Sequence, residues 1–460
     1  MTIFSSSPPG TENMTVPIPS IGPKSEAAYA RALDVFPDGT TRVTVECDPL
    51  PRYIARGEGA WLVDVDGRRM LDLNGNFTTL IHGHAFAPVT EAVVRQLHSG
   101  SCFASPTEAE ITLAATIRGR VPGIEHIRFV NTGSEAVLFA IKAARAFTGR
   151  TGIAKIEGAY HGSYDWAEVS QSVTPATWGP SKAPAAVSYY RGMPPSVLNE
   201  VVPLRFNDAE GAARAIAARA ATLAAVLLDP MPSRAGLIAP EPAFVEAVQR
   251  TARAHGILVI SDEVLNFRQG YAGASVRHGL HPDLYTLGKI IGGGFPVGAV
   301  AGRAEVMAVF DGKAGRPALP QGGTFSANPV SMVAGQVTLE HLDHAAFERL
   351  EELGDELRRR LSASIARHDA PFSVTGAASL FRIHPKPTPP REFRQAFLTP
   401  PEQTVMTALS RFFARQDIAL PNGAAACLST PMGLAEVELV AQAFDGFLAT
   451  QAAVYEGLVR

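Results

Sequence analysis

At 460 residues, with 46% hydrophobic and 18% charged side chains, the chain has ordinary globular composition and enough length to bury a large core. A formal net charge of -3 offers no basic field for nucleic acid or an anionic membrane, which leaves small-molecule chemistry as the default class. The cysteines, Cys47, Cys102 and Cys427, stand far apart without a CxxC pair, so neither a disulfide framework nor a metal site is indicated. The first thirty residues lack the basic and apolar regions of a secretory signal, and no apolar run reaches the roughly 18 residues of a membrane helix. A cytoplasmic protein is expected.

Residues 1–23, rich in Ser, Pro and Thr, have little to bury and read as a disordered arm. From about 125 to 303, short β-rich runs recur: "HIRFV" at 126–130, "IAKIE" at 153–157, "AAVLL" at 224–228, "ILVIS" at 257–261, "DLYTL" at 283–287 and "VGAVA" at 297–301. Most are continuously apolar, as strands covered on both faces are. Helical spacing falls between several of them. Val137, Ile141 and Ala144 share one face of a segment ending near Gly149, and Phe244, Val248 and Ala252 share one that stops at Gly256. Alternating strands and helices predict a mostly parallel α/β sheet, whose ligands bind beyond the carboxyl ends of the strands. After about residue 333 the pattern changes. Leu350, Leu353, Leu357 and Leu361 form one helical stripe, Arg358 to Arg360 read as its solvated face, and a proline-rich loop follows. The expected domains are 24–80 contributing to a small domain, a large domain at 81–333, and a C-terminal α+β small domain at 334–460.

The strand ends carry the chemistry. After "HIRFV" come Asn131, Thr132, Gly133 and Ser134 and then a helix, which fits an anion site on backbone N–H groups and fits plain N-capping equally well. After "IAKIE", Tyr160 and His161 stand between glycines, where an aromatic face can cover a planar ligand. "ILVISDEV" runs a buried strand into Asp262 and Glu263, carboxylates that need a cationic partner, either a salt bridge or a protonated ring nitrogen. Lys289 closes "DLYTLGK" ahead of Gly292, Gly293 and Gly294, which either let the backbone bend tightly and approach a neighbour or serve packing alone. An amine in so apolar a stretch has a lowered pKa and serves as a nucleophile towards a carbonyl. A Walker loop is excluded, because Asp283 stands where its first glycine should be and Ile290 where Ser or Thr is required. A phosphate cup, an aromatic cover, an acid for a ring nitrogen and an imine-forming lysine together match pyridoxal 5'-phosphate (PLP).

Through "RGEGAWLVDVDGRRMLDL", "NTGSEA", "YHG", "SDEV", "TLGKIIGGGFPVGA" and "GGTFSANPVSMVAG", the chain resembles the class III PLP-dependent aminotransferases over about residues 30–450. The similarity is to the branch of glutamate-1-semialdehyde aminomutase and the β-amino-acid aminotransferases. It implies PLP fold type I, with a mostly parallel seven-stranded sheet in the large domain. It also implies Lys289 as the Schiff-base lysine, Asp262 at the pyridine nitrogen, Gly133 and Ser134 at the phosphate, and Tyr160, beside His161, on the ring. Thr324 would reach the neighbouring subunit's phosphate, making an obligate homodimer with shared active sites. Arg42 lies where the β-amino-acid enzymes hold a substrate carboxylate, and their second arginine would fall near Asn422. Arg234 falls where the aminomutases have an asparagine and either binds a substrate carboxylate or pairs with Asp229 or Glu263; Phe77 is a further substrate contact. The implied reaction is ping-pong transfer of an amino group between a carboxylated amino compound, an α- or β-amino acid, and a keto acid. An intramolecular aminomutase or a racemase shares every cofactor residue, and a non-catalytic scaffold would make Lys289 and Asp262 incidental.

Overall fold

The computed structural model describes Val16, residues 21–423 and residues 425–458. Of the arm expected at 1–23, residues 1–15 and 17–20 lie outside the described residues. Val16 is only 1% exposed, packed into the main core, and Pro23 already opens helix α1 (Pro23–Leu33).

Strands β1 (Ile54–Glu58), β2 (Trp61–Asp64) and β3 (Arg69–Asp72) form an antiparallel N-terminal sheet. The central sheet uses β4 (His126–Val130), β5 (Gly152–Ile156), β6 (Val201–Leu204), β7 (Leu223–Leu228), β8 (Leu258–Asp262), β9 (Leu284–Gly288) and β10 (Gly298–Gly302). Its order is β4-β10-β9-β8-β7-β5-β6, and every pair is parallel except the two made by β10. This is the mostly parallel seven-stranded α/β sheet of PLP fold type I. β10 runs antiparallel because the connection Lys289–Val297 is too short for a crossover, which takes a dozen residues or more. Strands β11 (Ser373–Thr375), β12 (Leu380–His384) and β14 (Ala426–Cys427) form a third sheet, while β13 (Ile418–Ala419) extends the N-terminal one by pairing with β3. Residues near the C-terminus thus complete the sheet begun by residues 54–72.

Helix α2 (Gly133–Thr148) ends where Gly149 turns left-handed at φ 69°, and α3 (Pro242–Ala254) buries Phe244, Val248 and Ala252 as their spacing predicts. In α4 (His344–Arg367) the stripe Leu350, Leu353, Leu357 and Leu361 sits in the main core, each leucine worth about 2 kcal/mol of burial. The arginines beside it are not a solvated face. Arg358 donates to Ala378 O at 2.9 Å and Leu380 O at 2.7 Å, Arg360 pairs with Glu356 and Glu438, and only Arg359 stays largely in solvent. Long side chains that snorkel from a helix reach neighbouring carbonyls that helical periodicity cannot show.

Strands β4, β5, β7, β8 and β9 all end at one edge of the central sheet, so Asn131, Glu157, Asp229, Asp262 and Lys289 emerge together.

Candidate active site

The α2 N-terminus is capped, as one of the two sequence readings expects. Thr132 caps it by accepting from Glu135 N at 3.0 Å, and Glu135 returns a carboxylate to Asn131 N at 2.5 Å. These bonds leave the Gly133 and Ser134 amides directed outward from the first turn, the arrangement that binds an anion. Ser134 Oγ accepts from Ser163 N at 3.1 Å. Gly162, at φ 82°, lies so close that a Cβ there would come within 2.3 Å of Ser134 Oγ, so the Tyr160–His161 loop is folded onto this helix end.

Val264 joins the cup to the lysine. A Cβ on Gly133 would meet its Cγ1 at 2.7 Å, and one on Gly288 would meet the same atom at 3.3 Å and Gly133 Cα at 3.6 Å. Gly133, Gly288 and therefore Lys289 crowd around one isopropyl group. Lys289 holds a left-handed backbone, φ 50°, an uncommon state for a non-glycine residue that aims its side chain off the end of β9. Burial pushes its amine below the usual lysine range, helped by the Arg268 guanidinium and opposed by Asp262 and Asp229.

Asp262 is held the other way. Burial would raise its carboxyl, but His161 Nδ1 at 2.7 Å, Val264 N at 3.1 Å and Thr286 Oγ1 at 2.9 Å all donate to it and carry it below the ordinary range. Neighbouring strands supply this: Asp262 stands opposite Thr286 in the β8–β9 register. His161 is only 2% exposed and, held low by burial, stays neutral with Nδ1 as donor, while its Nε2 has no partner among the described residues. It is drawn behind Asp262 and so parts company with Tyr160, which remains 49% exposed. Asp229 is shifted the opposite way. Burial and the Asp262 charge push its carboxyl well up, and it accepts from Met231 N at 2.9 Å and from Asn266 Nδ2. One acid held low and one pushed up therefore act on Lys289.

Among the described residues Glu263 has no cationic partner. It accepts from Ala274 N at 2.7 Å and Ser275 N at 2.9 Å, at the start of the short helix Gly273–Arg277. Arg234 meets neither Asp229 nor Glu263; it lies exposed and donates to Ser172 Oγ at 3.1 Å. Arg42 and Phe77 do come together, with the guanidinium 5.3 Å above the ring centroid. Phe77 sits in a strained turn: Asn76, Phe77 and Thr78 all have positive φ, each costing about 1–3 kcal/mol. Asp72, accepting from Asn74 N at 2.8 Å and Gly75 N at 3.0 Å, holds the turn on one side. Arg268 holds it on the other. That fully buried guanidinium, which sequence reasoning missed, donates to Thr78 O at 2.9 Å, Leu428 O at 2.6 Å and Ser379 Oγ at 3.1 Å.

Thr324 lies exposed on the turn before Asn328, beside Phe325 at 57% exposure. The glycines after Lys289 pack within their own chain: a Cβ on Gly293 would lie 2.5 Å from Ala334 O, and one on Gly294 would lie 3.0 Å from Leu80. No group of three or more metal-ligating side chains occurs among the described residues.

A helix N-terminus at Gly133 and Ser134, two carboxyls shifted in opposite directions and a lysine pushed down by burial, at the strand ends of this sheet, suit a PLP-dependent enzyme. The family model described as aminotransferase class-III matches residues 43–408, and the chain belongs to that family. It is 39% identical over 362 residues to glutamate-1-semialdehyde 2,1-aminomutase of Methanothermobacter thermautotrophicus, covering 78% of this chain and 83% of that protein. An omega-transaminase from Sphaerobacter thermophilus superposes with a TM-score of 0.91 at 47% identity, covering 93% of this chain and 98% of its own. A β-phenylalanine aminotransferase from Variovorax paradoxus gives 0.84 at 31% identity, covering 94% and 95%. The cofactor is PLP, which solved structures of such proteins contain.

Proposed function

We propose that the protein is a transaminase that moves an amino group between a carboxylated amino compound, an α- or β-amino acid, and a keto acid by a ping-pong mechanism. The observation that carries this reading is the gathering of Asp262, Asp229 and Lys289 at the strand ends: three donors hold the Asp262 carboxyl low, burial beside Asp262 pushes Asp229 up, and burial pushes the Lys289 amine down. When bound, PLP supplies a ring that accepts the electron pair released as a substrate C–H bond breaks. Gly133 and Ser134 would hold its phosphate, and Asp262 would keep its ring nitrogen protonated. Lys289 Nζ takes the proton from the substrate carbon. His161 acts through Asp262, and Tyr160 covers the ring. Arg42, stacked on Phe77, receives the substrate carboxylate; Arg234 offers a second guanidinium.

The 47% identity to an omega-transaminase favours intermolecular transfer. The 39% identity to an aminomutase supports the second reading, an isomerase that returns the amino group to the same skeleton. Holoenzyme mixed with single α-, β- and ω-amino compounds, without acceptor, separates the two. A transaminase converts once, to a spectral end point, and turns over only when a keto acid is added. Sustained turnover of one compound with no acceptor would establish the isomerase instead.

We also propose a cytoplasmic homodimer. Phe325 beside Thr324, together with exposed Leu97, Phe103 and Ile111, leaves apolar surface for a second copy to cover. The free thiols Cys47, Cys102 and Cys427 suit a reducing compartment.

A further inference from the structure

Gly75, Asn76, Phe77 and Thr78 have φ of 54°, 50°, 55° and 70°, successive residues all in the left-handed region. Thr78 N donates to Asn74 O at 2.8 Å, so they close one turn of helix of the hand disfavoured for L-residues. Glycine takes that conformation freely and asparagine tolerates it. Bulky Phe77 and β-branched Thr78 do not, and such strain persists only where the surroundings over-determine the backbone.

The surroundings do so here. Asp72, at the end of β3 and buried, accepts from Asn74 N and Gly75 N with Oδ1 and from His84 Nε2 at 2.7 Å with Oδ2. His84 is itself fixed: its backbone exchanges hydrogen bonds with Gly59 at 2.7 and 2.9 Å, and a Cβ on Gly57 would come within 2.4 Å of its ring. Asn74 Oδ1 accepts from Phe77 N at 2.5 Å, and the Cys427 thiol lies 3.3 Å from where a Cβ on Gly75 would stand. Arg268 closes the far end at Thr78 O. Alternate residues of one segment connect this turn to the strand-end site: Asp262 meets His161, Val264 packs on Gly133, Asn266 donates to Asp229 and Arg268 to Thr78 O. Reversing the hand of the turn would redirect the Phe77 side chain and take its ring, with the Arg42 guanidinium 5.3 Å above it, out of place.

We propose that His84 and Asp72 are positioning residues for substrate binding: they hold Gly75–Thr78 left-handed and so fix where Phe77 meets the substrate. Both act through the backbone of the turn. The proposal rests on the transaminase reading for the kind of substrate that Phe77 meets.

The test reads the turn and the substrate separately. Hydrogen exchange of the holoenzyme reports the turn. Single-turnover conversion by L-glutamate, β-alanine and β-phenylalanine reports half-saturation apart from the limiting rate, and the visible spectrum reports affinity for unreactive 3-phenylpropanoate. His84→Leu should speed exchange at Phe77, Thr78 and Leu80 at least about tenfold and raise half-saturation about tenfold, with the limiting rate changed less than about twofold. His84→Gln, which keeps an N–H for Asp72, should return both to within about threefold of the wild type. In a Phe77→Ala background, His84→Leu should weaken binding less than about twofold, because the ring it positions is gone. Asn76 is exposed, so its variants decide if His84→Leu does not fold. Asn76→Val, which disfavours the left-handed course, should reproduce the loss, and Asn76→Gly, which accepts it, should not. Faster exchange with unchanged affinity, an equal fall in the limiting rate, or the same loss from Asn76→Gly as from Asn76→Val overturns the proposal. If no donor converts the cofactor while affinity for 3-phenylpropanoate follows the expected pattern, the transaminase reading falls and the positioning role stands.

Discussion

Replacing His161 with Phe removes one donor from Asp262 and little volume from a fully enclosed position. The lost bond joins a neutral donor to a buried carboxylate, a class worth about 1.5–3 kcal/mol. Two donors remain, Val264 N and Thr286 Oγ1, so Asp262 keeps its place while burial, the largest influence on it, gains ground. If that energy is felt mainly where Asp262 must stay ionised, kcat falls roughly ten- to hundredfold. The sign of the pH effect follows. Asp262 is held below the ordinary carboxylate range, so the activity and stability it supports are present above that range and lost as pH falls through its folded value. Without His161 the loss begins at higher pH, and the acid limb of kcat moves up. Steady-state pH profiles, with PLP content measured alongside, report this directly. His161→Asn, which restores an amide donor near Nδ1, should recover much of the rate. A Phe variant with bound PLP, normal kcat and an unmoved acid limb would refute the coupling of His161 to Asp262.

Lys289→Ala should abolish turnover and the visible absorbance of lysine-bound cofactor, while PLP still binds through the α2 N-terminus; normal turnover would end the assignment. Lys155 is buried with Nζ on three carbonyls, Ile156 O at 3.3 Å, Ala159 O at 3.2 Å and Val169 O at 2.9 Å, so Lys155→Met should cost about 3 kcal/mol, read as a lower midpoint in chemical denaturation. Arg42→Gln should raise KM for carboxylated substrates about tenfold and leave kcat nearly unchanged, since the guanidinium stacked on Phe77 is assigned to binding; an equal fall in kcat would place Arg42 in the chemistry instead.

Much of this architecture is legible in the sequence because buried parallel strands are continuously apolar and end in conspicuous polar residues. Six of the seven central strands follow from that signal. The missing one, β6, is an edge strand containing Pro203, which a sheet tolerates only where its absent N–H faces outward, so its "VVPL" reads as a loop. The site residues that local pattern identifies are those at strand ends, Asp262, Lys289, Gly133 and Ser134. What escaped it depends on distant backbone. Arg268 and Arg382 take carbonyl partners more than a hundred residues away, and Glu263 is met by helix amides where a cation was the natural expectation. Asp229 entered only as a possible partner of Arg234; its closeness to Asp262 is what pushes its carboxyl up, together with burial.

Two lysines lie near this edge of the sheet, Lys289 half-buried and Lys155 fully buried, and Lys155, pushed down to about 7 by burial and the Arg234 charge, is the rival nucleophile to Lys289. Borohydride reduction of the holoenzyme followed by peptide mass mapping distinguishes them. A pyridoxyl group on the peptide containing Lys289, and none on Lys155, is the predicted result. A label on Lys155, or a protein that stays yellow and unlabelled, would contradict the account.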